Sequence, residues 1–201
     1  MLHTLIVPGV GGSESEHWQS WLERQLESST RVQQRDWQAP KLSEWVTQCA
    51  KTLAAAPAAV QIVAHSFGCL TTVATLAQHP ELAHKVKKLI LVAPANPQRF
   101  SEAGFSRSAH DHLADYFAKL KPSVPSEMLI SENDPWLNYA DALALAKAWQ
   151  VPVRNLGQVG QINVASGFGP FPQLLEHLLA APRSSFITNS DNKKLYFKFA
   201  F

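Results

Sequence analysis

Short runs of aliphatic and β-branched residues alternate along the chain with stretches whose apolar residues recur at helical spacing. Thr4-Leu5-Ile6-Val7 is an apolar run that stops at Pro8-Gly9, which reads as a strand and its turn. Trp18, Trp21, Leu22 and Leu26 then fall on one face of a helix expected over residues 15–28. Residues 31–37 read as a second strand. Leu42, Trp45, Val46, Cys49 and Leu53 share one face of a helix over 41–56. A third strand is expected at 59–63, a third helix at 67–78 and a fourth strand at 88–92. The last of these is a nearly continuous apolar run, the kind buried on both faces of a sheet. Residues 94–125 are irregular apart from a helical piece over 110–120. A fifth strand at 127–131, an Ala/Leu-rich helix at 139–149, a sixth strand at 151–156 and a final helix at 171–179 complete the pattern.

This order of strand then helix implies an α/β fold: a mostly parallel sheet of about six strands with helices on both faces. Right-handed crossovers put every strand-to-helix loop along one edge of such a sheet, the edge where open α/β sheets bind ligands. Residues 1–182 are expected to form a single domain. After Pro182 the chain turns polar and then ends Leu195-Tyr196-Phe197-Lys198-Phe199-Ala200-Phe201, an alternating aromatic pattern. This tail, 183–201, is expected to lie outside the core.

Composition narrows the class. Of 201 residues 46% are hydrophobic, enough for a substantial core, and the net charge is only +2. So even a balance gives no reason to expect nucleic acid or a membrane surface as partner. Cys49 and Cys69 make neither a disulfide framework nor a C-x-x-C pair, and the N-terminus has no leader pattern; a cytoplasmic protein with two buried thiols is expected. The cluster of Trp18, Trp21, Trp37 and Trp45 is expected to clamp the first two helices to the sheet.

Chemistry concentrates on four strand-to-helix loops. In Ala64-His65-Ser66-Phe67-Gly68 a strand runs into a serine and a helix starts at once, the arrangement of a nucleophile elbow with alanine in place of the first glycine. The plain alternative is a serine that caps a helix. Pro8-Gly9-Val10-Gly11-Gly12 ends the first strand; this glycine-rich loop can lie close to Ser66, with Gly9 a candidate for lining the pocket, and the backbone N–H of Val10 with that of Phe67 would form an oxyanion hole. The loop matches neither G-x-x-x-x-G-K-[S/T] nor G-x-G-x-x-G, so nucleotide phosphates are not its expected ligand. Asp134, before Pro135 in the loop after the fifth strand, stands where a triad acid belongs in the order serine, acid, histidine, although Asp before Pro is also common turn chemistry. Trp136 beside it, with His17, His65 and Asn163, is a candidate for lining the pocket. The triad histidine belongs in residues 157–169, yet no histidine lies between His112 and His177.

Seven segments resemble one family in its order: Val7-Pro8-Gly9, Glu16-His17-Trp18-Gln19, Arg35-Asp36-Trp37 with Pro40, Val63 to Leu70, Leu91-Val92-Ala93-Pro94, Asn133-Asp134-Pro135, and Gly160 to Gly169. They are similar to the small serine hydrolases of the YdeN / retinoblastoma-binding protein nine type, bacterial branch, over roughly residues 2–180. The resemblance implies a three-layer α/β-hydrolase fold without a large cap domain, no metal, no cofactor, Ser66 as nucleophile and Asp134 as acid. It also places Gln161 where the family has its catalytic histidine.

Glutamine cannot serve as that base. Its amide nitrogen has no basic lone pair near neutral pH, and its oxygen is very weakly basic. Three accounts stand open: a natural loss that leaves a binding protein, an introduced change that disables an enzyme, or another histidine, His17 or His65, acting instead. The expected function is hydrolysis of small esters or amides through a Ser66 acyl-enzyme, impaired at Gln161. Its alternative is a non-catalytic protein that binds a small ligand or a protein partner. The expected assembly is a monomer or weak homodimer.

Overall fold

The structure, a computed structural model, describes residues 2–57 and 59–180. Six parallel strands form the main sheet in the order β2-β1-β3-β4-β7-β8. They are β1 (His3–Val7), β2 (Ser29–Arg31), β3 (Val60–His65), β4 (Val86–Val92), β7 (Ser126–Ile130) and β8 (Val153–Asn155). A two-residue hairpin, β5 (Phe100–Ser101) and β6 (Gly104–Phe105), stands apart from it. The helices are α1 (Trp18–Gln25), α2 (Leu42–Ala55), α3 (Phe67–Gln78), α4 (Ala114–Ala118), α5 (Tyr139–Trp149) and α6 (Pro172–Leu179).

Alternation along the central strands divides the core in two. Ile62, Ala64, Leu89, Leu91, Met128 and Ile130 point to the face covered by α2, α3 and α5. Val63, Ile90, Val92 and Leu129 point to the other, where Trp18 and Leu22 of α1 meet Phe171, Leu174 and Leu178 near and within α6. Burying each such aliphatic side chain contributes ~1.5–3 kcal/mol, so the sheet is held from both faces and three layers result. Trp18 and Trp45 are fully buried, while Trp21 and Trp37 pack at the margin of the core.

Several boundaries differ from the sequence reading. The second strand is Ser29–Arg31, which ends where the expected 31–37 strand begins. Val32 still donates to Ile6, but Asp36 then folds the chain by accepting from the N–H groups of Gln38 and Ala39. The Arg31 guanidinium also turns inward to the carbonyls of Gly12 (2.7 Å) and Ser13 (3.0 Å), which fixes the strand's end. Helix α1 starts at Trp18 because residues 14–17 form a turn and His17 Nδ1 accepts from Gln19 N–H as its cap. The sixth strand keeps only Val153–Asn155, and the helix expected at 110–120 keeps only Ala114–Ala118. Residues 106–111 are instead wound around the Asp111 carboxylate, which accepts from Ser106, Arg107 and Ser108. The tail expectation at 183–201 lies outside the described residues. Between β4 and β7 the chain makes turns, the hairpin and α4, with no cap domain. Among the described residues no helix is long and apolar enough to cross a membrane.

Candidate active site

The C-terminal ends of β1, β3, β4 and β7 bring four loops to one edge. Ser66 joins β3 to α3 at φ 53°, ψ −122°, a conformation side chains rarely adopt. Its N–H donates to Val92 O (3.1 Å) and its carbonyl accepts from Cys69 N–H (3.0 Å), so the strained residue is held on both sides. Its hydroxyl makes no capping bond to α3, which removes the plain helix-cap alternative. The small neighbours have a steric reason. A Cβ on Gly68 would lie 2.3 Å from Val7 O, and one on Gly9 would lie 2.8 Å from Ser66 Cβ. Ala64, in place of the first elbow glycine, is fully buried without conflict. The Gly9-Val10 backbone therefore runs directly alongside the elbow.

Gln161 reaches the same point from the loop before α6. Its Nε2 donates to Ser66 Oγ at 3.2 Å, and the side chain is buried. The loop is sharply bent: Gly160 and Ile162 both have φ between 50° and 60°, at 58° and 53°. Three supports hold it. His65 Nε2 donates to Gln161 O (2.9 Å), Trp18 Nε1 donates to Ile162 O (2.8 Å), and Gly160 N–H donates to Asn133 Oδ1 (2.8 Å). Ser131 adds a fourth contact, since its hydroxyl accepts from Val159 N–H at 3.0 Å and donates to Asn133 Oδ1 at 2.9 Å. Asn163 is taken up in a capping box with Ser166, so its side-chain oxygen serves the loop's own turn.

Asp134 is buried on the neighbouring loop. Its Oδ1 accepts from the N–H groups of Trp136 (2.8 Å) and Leu137 (3.4 Å), so it also performs the turn role open to it. Burial raises its carboxyl above the usual range; the two N–H donors and the Arg99 charge act in the opposite direction. Its carboxylate makes no hydrogen bond to Gln161 among the described residues; the two loops are joined through Asn133 instead. Pro94, Ser131 and Leu137 close in beside it and leave no space for a water molecule. Trp136 itself is exposed, with the Arg99 guanidinium 4.0 Å from its ring centroid.

Neither alternative histidine is hydrogen-bonded to the Ser66 hydroxyl among the described residues. His17 and His65 are buried with ring centroids 4.8 Å apart. Burial pushes His65 down to about 4, and His17 falls far below its usual value through burial and the neighbouring ring. Both are neutral imidazoles at neutral pH. His65 spends its Nε2 on the Gln161 carbonyl, and His17 spends Nδ1 on the α1 cap. Sequence reasoning treated Trp18 as core and missed Ser131, Asn133 and Arg99. The adjacency of Asn133 to Asp134 was the available signal; the Arg99–Trp136 contact has no local one. Among the described residues no group of three His, Cys, Asp or Glu side chains is placed to hold a metal ion, and Cys49 and Cys69 are buried free thiols.

A putative YdeN-like hydrolase from Pectobacterium atrosepticum is 33% identical, with 89% of each chain covered and a TM-score of 0.75. The ydeN gene product of B. subtilis is 18% identical over 89% of this chain and 97% of its own, at TM-score 0.66. Est1E from Butyrivibrio proteoclasticus is 14% identical over 89% and 87%, at 0.60, a likeness of fold alone. No curated protein matches in sequence. A family model described as serine hydrolase matches residues 4–180, and with the α/β-hydrolase sheet and strained serine already in place, the chain belongs to the serine hydrolase family, of the small YdeN-like kind.

Proposed function

We propose that this is a hydrolase site for small esters or amides in which Ser66 is the nucleophile, Asp134 the acid, and the N–H groups of Phe67 and Val10 the oxyanion donors. Gln161 leaves it without a general base. The observation that carries this reading is the 3.2 Å bond from Gln161 Nε2 to Ser66 Oγ. A base at this point would accept the serine proton. The amide does the reverse and donates to the oxygen that should attack. Turning the amide over would let its oxygen accept the hydroxyl hydrogen as a hydrogen bond, but the proton still could not be transferred.

Supporting features are the held strain at Ser66, the Gly9 backbone against the elbow and the four supports of the 161 loop. Together they hold residue 161 beside the serine. Removal of a triad base elsewhere costs on the order of 10⁴–10⁶ in rate, the remainder coming from oxyanion donors and binding. A second reading, a non-catalytic binder of small ligands, draws on the absence of any imidazole bonded to Ser66. The buried thiols favour a reducing, cytoplasmic setting.

Gln161→His tests the reading. Hydrolysis of p-nitrophenyl acetate should rise by at least about 10³-fold, and a fluorophosphonate probe should label Ser66 in that variant. No gain, with the variant folded, would mean that the acid or oxyanion groups do not work either, and the binder reading would replace this one.

A further inference from the structure

Arg99 closes the short turn after β4, on the same sheet edge as Ser66. Its backbone is fixed twice: its N–H donates to Asn96 O (3.0 Å), and its carbonyl accepts from Ser106 N–H (2.9 Å). The next residue, Phe100, packs on Phe67 with ring centroids 4.5 Å apart, and Phe67 directly follows Ser66. The root of the Arg99 side chain is thus one aromatic contact from the elbow. Its tip lies over the Trp136 ring, and Trp136 N–H is bonded to Asp134 Oδ1. Arginine therefore spans from the turn after β4 to the acid loop.

The guanidinium feels the Asp134 charge but is bonded to no anion among the described residues. If its purpose were only to hold Asp134 ionised, an ion pair with that carboxylate would be the direct solution, and Asp134 instead bonds its own backbone. Part-burial strips hydration from the cation, and the Asp134 charge offsets this only in part. With its central carbon over the indole ring, the guanidinium has an N–H fork of the kind that fits a carboxylate, and that fork has no hydrogen-bond partner among the described residues. The surroundings of Arg99 are also apolar: Trp136 and Phe105 are exposed, and Phe105 stacks on Phe100.

We propose that Arg99, stacked on Trp136, is a specificity subsite that binds a carboxylate on the ligand of the Ser66 site, so that the substrates are carboxylate-bearing esters or amides such as half-esters of short dicarboxylic acids. One planar guanidinium fork matches one carboxylate in geometry and charge. A phosphate dianion would meet excess negative charge there. The methylene chain between ester and carboxylate would lie on the exposed aromatics. The assignment to a substrate rests on the hydrolase reading above; the binding itself does not.

Two measurements separate them. Calorimetry on the unaltered protein compares monomethyl glutarate with dimethyl glutarate, which differ in the free carboxylate. The half-ester should bind at least ~10-fold more tightly, in line with a charge-assisted bond. Arg99→Met, which keeps the stem, should abolish the preference, and Arg99→Lys should restore part of it. Equal binding of the two esters, no binding of either, or a preference that survives Arg99→Met overturns the proposal. If Arg99→Met does not fold, the comparison in the unaltered protein and in Arg99→Lys decides. In Gln161→His, p-nitrophenyl hemiglutarate should be preferred to p-nitrophenyl valerate in kcat/KM by a similar factor. An inert Gln161→His protein that retains the calorimetric preference removes the hydrolase reading and leaves the subsite. An active one indifferent to the carboxylate removes the subsite and leaves the hydrolase.

Discussion

The elbow around Ser66 and the loop around Gln161 meet across a single hydrogen bond, yet they are fixed by different forces. The elbow is fixed by exclusion: Gly68 and Gly9 sit where any Cβ would collide with strand β1 or with Ser66, and Ser66 is held at positive φ between Val92 and Cys69. The Gln161 loop is fixed by attachment, through polar side chains that grip its backbone at residues 159, 160, 161 and 162. The contrast shows how position and chemistry separate. In the elbow the backbone shape and the reactive group are one feature. In the loop the backbone can be held while the side chain it presents is exchanged.

If that contrast is right, Gln161→His should have the largest effect, a rate gain of about 10³ or more, equivalent to roughly 4 kcal/mol of barrier, because the loop already aims residue 161 at Ser66. A folded but inert variant would show that attachment has not preserved the site. Next comes Gly68→Val. A side chain forced within van der Waals contact of Val7 O should cost about 3 kcal/mol or more in urea unfolding; a loss under 1 kcal/mol would mean that exclusion does not hold the elbow.

His65 gives an effect of roughly 3 kcal/mol. Burial keeps its imidazole at about 4 when folded, against 6.5 in the unfolded chain, so between those values the unfolded state binds more protons. Stability is therefore fully present above pH 6.5 and declines as pH falls towards 4. His65→Asn should flatten that slope in a pH series of unfolding curves, and an unchanged slope would assign it to other groups. The smallest expected effect belongs to Trp18→Phe, which keeps the buried ring but leaves the Ile162 carbonyl unpaired. About 1–2 kcal/mol of stability should be lost, with kcat in the Gln161→His background falling more than KM rises. Equal changes in both would make Trp18 simply a core residue.

The elbow was legible in the sequence because its causes are local: a strand, a serine and a helix, with small residues at fixed offsets. The position of Gln161 was legible through its family resemblance, and its loop through glycines beside a final helix. The grip on that loop was not, since Trp18 and Ile162 are far apart in the chain and nothing in either's neighbourhood encodes the bond. Arg99 over Trp136 was hidden for the same reason. The second strand was misplaced because nothing in the residue pattern over 31–37 marks where pairing stops, while the Arg31 side chain and the Asp36 turn end it early. The short edge strand β8 shrank likewise, with little sheet on its outer side to extend it.

One consequence of the gripped loop reaches beyond the folded molecule. His65 and Trp18 hold carbonyl oxygens that every amino acid possesses, so they are indifferent to which side chain occupies position 161. Glutamine and histidine codons differ only in their third base. A lineage carrying this scaffold therefore stands one nucleotide change from trading amide for imidazole, with no compensating substitution demanded of the surrounding loop.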